Sequence, residues 1–221
     1  TERNNHNPFS MRIINRDSMQ TVTSTENSSN GHQFLKIYQG TLERFVLDIE
    51  ADTTDRNGQL SIEIPGDIEL DLKLHCGGVV EQFGKLESNL FQAQVSKCDV
   101  PECNSCGIRL DKFRVGSIQL NVEHGSIQTK DLIAQNIKLL AHESSITGKK
   151  LQGQRISLES HGKESEIRFG AIYGGVIDVG QFGNGSGGID IGSVNGRLVK
   201  VSACGSSGIH IQDAAAECVL A

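Results

Sequence analysis

Three cysteines sit close together near the middle of the chain, in the order Cys98-x4-Cys103-x2-Cys106. Structural zinc sites use thiolates at such spacing, because a CxxC turn aims two sulfurs at one tetrahedral ion. Cys103-Asn104-Ser105-Cys106 supplies that chelate and Cys98 a third thiolate, while His75 or Cys76 lies upstream as a fourth ligand. The same trio also reads as a reversible disulfide within a loop, or as small side chains packed at a corner. Metal analysis of purified protein separates the zinc reading from the other two. Zinc is the one cofactor that the sequence leaves open, and it assigns no other.

Other matches to chemical motifs fail on their surroundings. Gly183-Asn184-Gly185-Ser186-Gly187-Gly188 fits GxGxxG, yet it runs straight into the strand-like Ile189-Asp190-Ile191 where a dinucleotide site needs a helix to open. The calcium-binding nonapeptide spacing is missing around Asp190. His142-Glu143 lacks the second histidine of HExxH, with Ile146 in its place. Gly205-Ser206-Ser207-Gly208 is one residue short of a nucleophile elbow. Asn27 and Asn184 head Asn-x-Ser sequons, which matter only in a secreted protein. Glu63, Glu69 and Asp71 alternate with apolar residues as a solvated face does, and no two acidic positions recur in register. The sequence offers no catalytic set.

Whatever these residues do, short strands must position them. From Phe34 onward the chain alternates apolar and polar residues, most cleanly in Ile68-Glu69-Leu70-Asp71-Leu72-Lys73-Leu74. Nothing sustains a helical period, so the chain is all-β. Its second half repeats. Ile118-Gln119-Leu120, Ile137-Lys138-Leu139, Ile156-Ser157-Leu158, Ile177-Asp178-Val179 and Val199-Lys200-Val201 form one kind of strand. A second kind starts after small residues at Ile127, Ile146, Ile189 and Ile209. It bends at a Gly or polar residue before a second apolar one, at Leu132, Leu151, Ile172 and Val194. One strand of each kind makes a repeat of about 20 residues. An antiparallel meander, turning at Asn57-Gly58, Asn184-Gly185 and Asn195-Gly196, also fits strands at this spacing. The alternation of kinds favours a parallel β-solenoid, in which equivalent residues stack about 4.8 Å apart. Small residues, glycines among them, then fall at the corners.

The repeat gathers one more set of chemically able residues. Five positions beyond each marker stand His142, His161, Phe182 and Cys204, with His124 one residue out of step. Stacked coils place them in a column that shields the corner. Alternatively the column is a pH-sensitive or metal-binding strip, since neighbouring imidazoles repel once protonated.

Composition agrees with coils. The chain has 221 residues, 25 of them glycine, no tryptophan and 5% aromatics, so it lacks the large side chains of a typical enzyme pocket. Its net charge of −6 argues against general nucleic-acid or anionic-membrane binding. No apolar run is long enough for a membrane span. Residues 1–32 are polar and read as disordered or loosely attached, and residues 33–221 as the solenoid domain, less regular at its N-terminal side. Six cysteines are too few for a disulfide-built mini-domain and do not fix a redox compartment.

Ile62-Glu63-Ile64-Pro65 leading into Ile68-x-Leu70-x-Leu72, then Gly77-Gly78-Val79 and the Gly-x-Ile-x-Leu units, resembles the adhesin-like repeat family of bacteria. Residues 34 to about 180 are more closely similar to the eukaryotic "family with sequence similarity 185". The matching stretches are Leu35-Lys36-Ile37-Tyr38, Ile62 to Leu74, Glu102-Cys103-Asn104-Ser105-Cys106 and Ile172-Tyr173-Gly174-Gly175-Val176-Ile177-Asp178. The resemblance implies a β-helix-like fold, an intracellular setting with the mitochondrion as one candidate compartment, and further strands with a cap after Ala221. It carries over no catalytic or ligand residues. The expected function is a non-enzymatic interaction or scaffold module with a protein partner, with self-association through an exposed end coil as a second mode. A carbohydrate- or ester-acting β-helix enzyme is the alternative.

Overall fold

The computed structural model describes residues 10–15, 21–25, 34–39, 44–50, 59–64, 69–75, 79–96, 107–163, 165–183, 187–204 and 208–220. Thirteen strands and no helix occur among them. The regular part is a parallel β-solenoid built from β7 (Val79–Val95), β8 (Gly107–Val122), β9 (Gly125–His142), β10 (Ser144–His161), β11 (Glu166–Phe182), β12 (Ile189–Ala203) and β13 (Ile209–Leu220). These pair in sequence order, each parallel to the next. Parallel pairing rules out the meander, and Asn195-Gly196 lies within β12 rather than at a hairpin turn.

On the N-terminal side the order is less regular. β1 (Ser10–Asn15) lies between β7 and β5 (Gln59–Ile64), parallel to both, and β2 (Thr21–Thr25) closes that row antiparallel to β5. A second row runs from β7 through β6 (Glu69–His75) and β4 (Arg44–Glu50) to β3 (Phe34–Gln39), which is antiparallel to β4.

Each solenoid coil is one long strand bent twice. In β10 the pairing covers 144–148, 150–153 and 155–161, skipping Lys149 and Gln154. The equivalent skips are Lys130 and Gln135 in β9 and Gly170 and Gly175 in β11. Three straight runs therefore wrap the core. The first bend falls just before Leu132, Leu151, Ile172 and Val194, where the repeat places it, and all four side chains are buried. Equivalent first-run residues Ile108, Ile127, Ile146, Ile167, Ile189 and Ile209 are spaced by 19, 19, 21, 22 and 20 residues. The step from Val80 to Ile108 is 28, and the extra length holds the cysteine segment.

Strict register turns each coil's alternation into columns. Ile118, Ile137, Ile156, Ile177 and Val199 stack on the third run, with Leu120, Leu139, Leu158, Val179 and Val201 beside them, all buried. A fully buried aliphatic side chain contributes roughly 1.5–3 kcal/mol, so each coil gains its stability from the coils on either side. Facing the marker column are Gly153, Gly174 and Gly196. A Cβ on Gly174 would lie 2.9 Å from the Gly153 carbonyl oxygen of the preceding coil and 3.2 Å from both Ile156 Cδ1 and Ile177 Cγ1. These three glycines make room for the isoleucines, an interior role that differs from the corner role expected of glycine.

Polar side chains close the circuit. Ser160 Oγ donates to the Ser144 carbonyl (2.7 Å), joining the end of β10 to its own start. One coil later Gln181 Nε2 donates to Ser165 Oγ (2.6 Å), and Ser165 Oγ donates to the Gly162 carbonyl (2.9 Å). Ser160, Ser165 and Gln181 are all buried. These bonds replace water for the two hydroxyls and for Gln181 Nε2, while Gln181 Oε1 is buried without a partner.

Candidate functional face and the histidine column

The second run, the bends on both sides of it and the first residue of the third run carry a charge pattern unlike the rest of the molecule. Across β8 to β12, residues 111–117, 130–136, 149–155, 170–176 and 192–198 hold seven Lys and Arg but only two acidic residues. The remainder of the chain has 14 Lys and Arg against 25 Asp and Glu. A net acidic protein therefore presents one basic face. Lys112, Arg114, Lys149, Arg155 and Arg197 are exposed on it. Lys112, Asp131 and Lys150 are consecutive in one column. Lys130 is tied to Asp111 at 3.0 Å.

Shallow grooves run over this face. One of about 440 Å3 has Phe113, Leu132 and Ile133 beneath it and Lys112, Arg114 and Lys150 around it. A neighbour of about 380 Å3 shares Arg114 and Ile133 and adds the amides of Gln135, Gln152 and Gln154. Beyond them Lys150 Nζ sits 5.4 Å from the ring centre of Tyr173, which is 38% exposed. The combination is cationic groups, planar amides and a partly apolar floor, laid out on a rigid ladder. Such groups can hold an anion by charge and hydrogen bonding, and the residues lining these two grooves include no Ser, Thr, Cys or His. No sequence motif marked this face, because its charges are scattered over some 85 residues and gather only when the coils stack.

The histidine column forms as its spacing predicts. His142 and His161 stack with ring centres 5.0 Å apart and planes 18° from parallel, and Phe182 continues the stack at 5.1 Å. Cys204 is an exposed free thiol whose N–H donates to the Gln181 carbonyl. His124 falls one step out of line, since Val122 pairs with Ala141 and so puts Glu123 at the His142 level. His161 Nε2 also approaches Glu159 at 3.6 Å. Imidazole lone pairs lie in the ring plane, so stacked rings aim them side by side instead of at a shared point. The geometry is that of packing. The corner below it needs a left-handed residue: Glu143 has φ 50°, and its equivalent on the next coil is Gly162 at φ 115°.

Cys98, Cys103 and Cys106 lie outside the described residues, as do His75's side chain and Cys76. Among the described residues, no three His, Cys, Asp or Glu side chains come together as metal ligands. In none of the paired registers does one acidic residue stand opposite another; Asp178 faces Lys200 (3.7 Å) and Asp190 faces Arg168 (3.6 Å). Among the described residues no helix is long and apolar enough to cross a membrane. Comparison with family models, curated proteins and solved structures gives no match.

Proposed function

We propose that the chain is a non-enzymatic interaction module, a β-solenoid that offers its second-run face to a protein partner. The observation that carries this reading is the sorting of charge. Cations collect on one regular face, while carboxylates are kept apart in every register, whereas a glycosidase-type site needs two of them facing one bond. A rigid ladder with grooves and no reactive pair is built to hold a surface in place. The adhesin-like resemblance belongs to the same proposal and adds no ligand residues to it.

The test combines proximity labelling of the protein in its own cells with a turnover panel of polysaccharides and esters. A reproducible protein partner and no turnover are expected. Turnover that disappears when a single acidic residue is replaced would overturn the reading in favour of a β-helix hydrolase.

A further inference from the structure

The second-run face has a shape and a spacing that narrow the partner. Its cations are not evenly spread along the solenoid axis. β8 contributes Lys112 and Arg114, β10 contributes Lys149, Lys150 and Arg155, and β12 contributes Arg197. On β9, Lys130 is engaged by Asp111 and Asp131 lies in the groove lining between Lys112 and Lys150, so this coil carries no net positive charge, and residues 170–176 of β11 hold no cation. Coils stack about 4.8 Å apart, so Lys112 and Lys150, two coils apart in one column, are ~9.6 Å apart, and Arg197 two coils further on stands to one side at the second bend, which makes an oblique cationic strip of roughly 19 Å along the axis. An extended polypeptide advances about 3.1–3.3 Å per residue. Six or so residues thus span the strip, with side chains three apart meeting successive cationic coils.

The remaining groups fit the same occupant. Exposed Gln135, Gln152, Gln154 and Asn195 each offer a donor and an acceptor, which is what the free N–H and C=O groups of an extended backbone require. Ile133 and the carbons under Lys112, Arg114 and Lys150 give a narrow apolar floor for small side chains. We infer that this face binds an acidic, extended segment of a protein partner, laid along the solenoid axis with Asp or Glu at about every third residue. The inference rests on the interaction-module reading and names the chemistry of its partner. Charge complementarity of this kind speeds encounter and fixes orientation, and it weakens with salt.

The experiment uses a fluorescent twelve-residue peptide repeating Glu-Ser-Ser, with a Gln-Ser-Ser peptide as the neutral control and a dT12 oligonucleotide as competitor. Anisotropy should show binding of the Glu peptide that the Gln peptide lacks and that falls several-fold as salt rises. Reversal of three exposed or half-buried cations together (Lys112→Glu, Arg114→Glu, Lys150→Glu) should weaken it at least tenfold. Reversal on the third run (Lys138→Glu, Lys200→Glu) should change it less than twofold. Should the triple variant not fold, Arg114→Gln and Lys150→Gln singly are each expected to lose two- to threefold. Equal losses on both faces, absence of binding, or displacement by dT12 at concentrations as low as those of unlabelled peptide would overturn the inference. A cellular partner that the triple variant still retains would refute this face alone and leave the interaction reading standing, whereas turnover would refute that reading itself.

Discussion

Replacing Ile156 by Asp tests the register on which everything above depends. Ile156 is 2% exposed and pairs in register with Ile137 on one side and Ile177 on the other. Its Cγ1 lies 3.4 Å from where a Cβ on Gly153 would be, and its Cδ1 3.2 Å from that on Gly174. The pocket is tight on three sides and cannot collapse far when atoms are removed. Ile156→Ala should therefore cost about 3–4 kcal/mol, within the usual 2–5 for such a truncation. Ile156→Asp loses similar volume and also buries a carboxyl group with no partner. Even protonated, that group adds a few kcal/mol, for a sum of about 5–7. Whole-domain stabilities are typically only ~5–15 kcal/mol, so the Asp variant should be largely unfolded at modest urea. The assay is urea unfolding followed by circular dichroism for wild type, Ile156→Ala, Ile156→Asp and the exposed control Gln152→Asp. Hydrogen exchange then asks where protection is lost. In a stack held by neighbour contacts, the amides of β9, β10 and β11 should open first. An Asp variant within about 1 kcal/mol of wild type, or no worse than the Ala variant, would refute the interior placement of the third run.

The closure bonds give a second expectation. Ser165→Ala strands the buried Gln181 Nε2 and should cost about 1–3 kcal/mol, whereas Gln181→Met also removes a buried Oε1 that has no partner and should cost less, as urea midpoints would show. At the corner, Glu143→Gly should be close to neutral and Glu143→Val destabilising by about 1–2 kcal/mol, because a β-branched residue resists φ 50°; thermal melts of both decide it. In the aromatic column, His161→Ala should lose about 1 kcal/mol while His161→Phe keeps most of it, since His161 has a ring on either side; equal losses would mean that the stack contributes nothing.

The core was readable because stacking converts sequence spacing directly into contact. An apolar residue 19 to 22 positions from its equivalent lands on it, so Leu132, Leu151, Ile172 and Val194 could be placed beyond a bend, and His142 could be set on His161, from spacing alone. What escaped obeyed a different logic. Ser144, Ser160, Ser165 and Gln181 sit in the core, but polar residues in an alternating pattern read as surface until both ends of a coil are seen to meet. The repeat places glycines at corners, yet Gly153, Gly174 and Gly196 face inward beneath the isoleucines, where a missing side chain is a packing requirement. Asn195-Gly196 is a local hairpin signal that only the disfavoured meander would use, and here the demand on Gly196 comes from the stack, from the Gly174 carbonyl, Ile177 and Val199.

The basic face shows the same limit for function. The chain's net charge of −6 argues against general nucleic-acid or anionic-membrane binding, but a total says nothing about where charges lie. In a solenoid the run a residue belongs to decides its face, and the second run with its flanking bends collects cations while most acidic residues fall elsewhere. Reading charge run by run, once the period was known, would have exposed the face before any coordinates. For a stacked fold the informative quantity is therefore charge per column. By that measure this acidic chain carries a cationic surface.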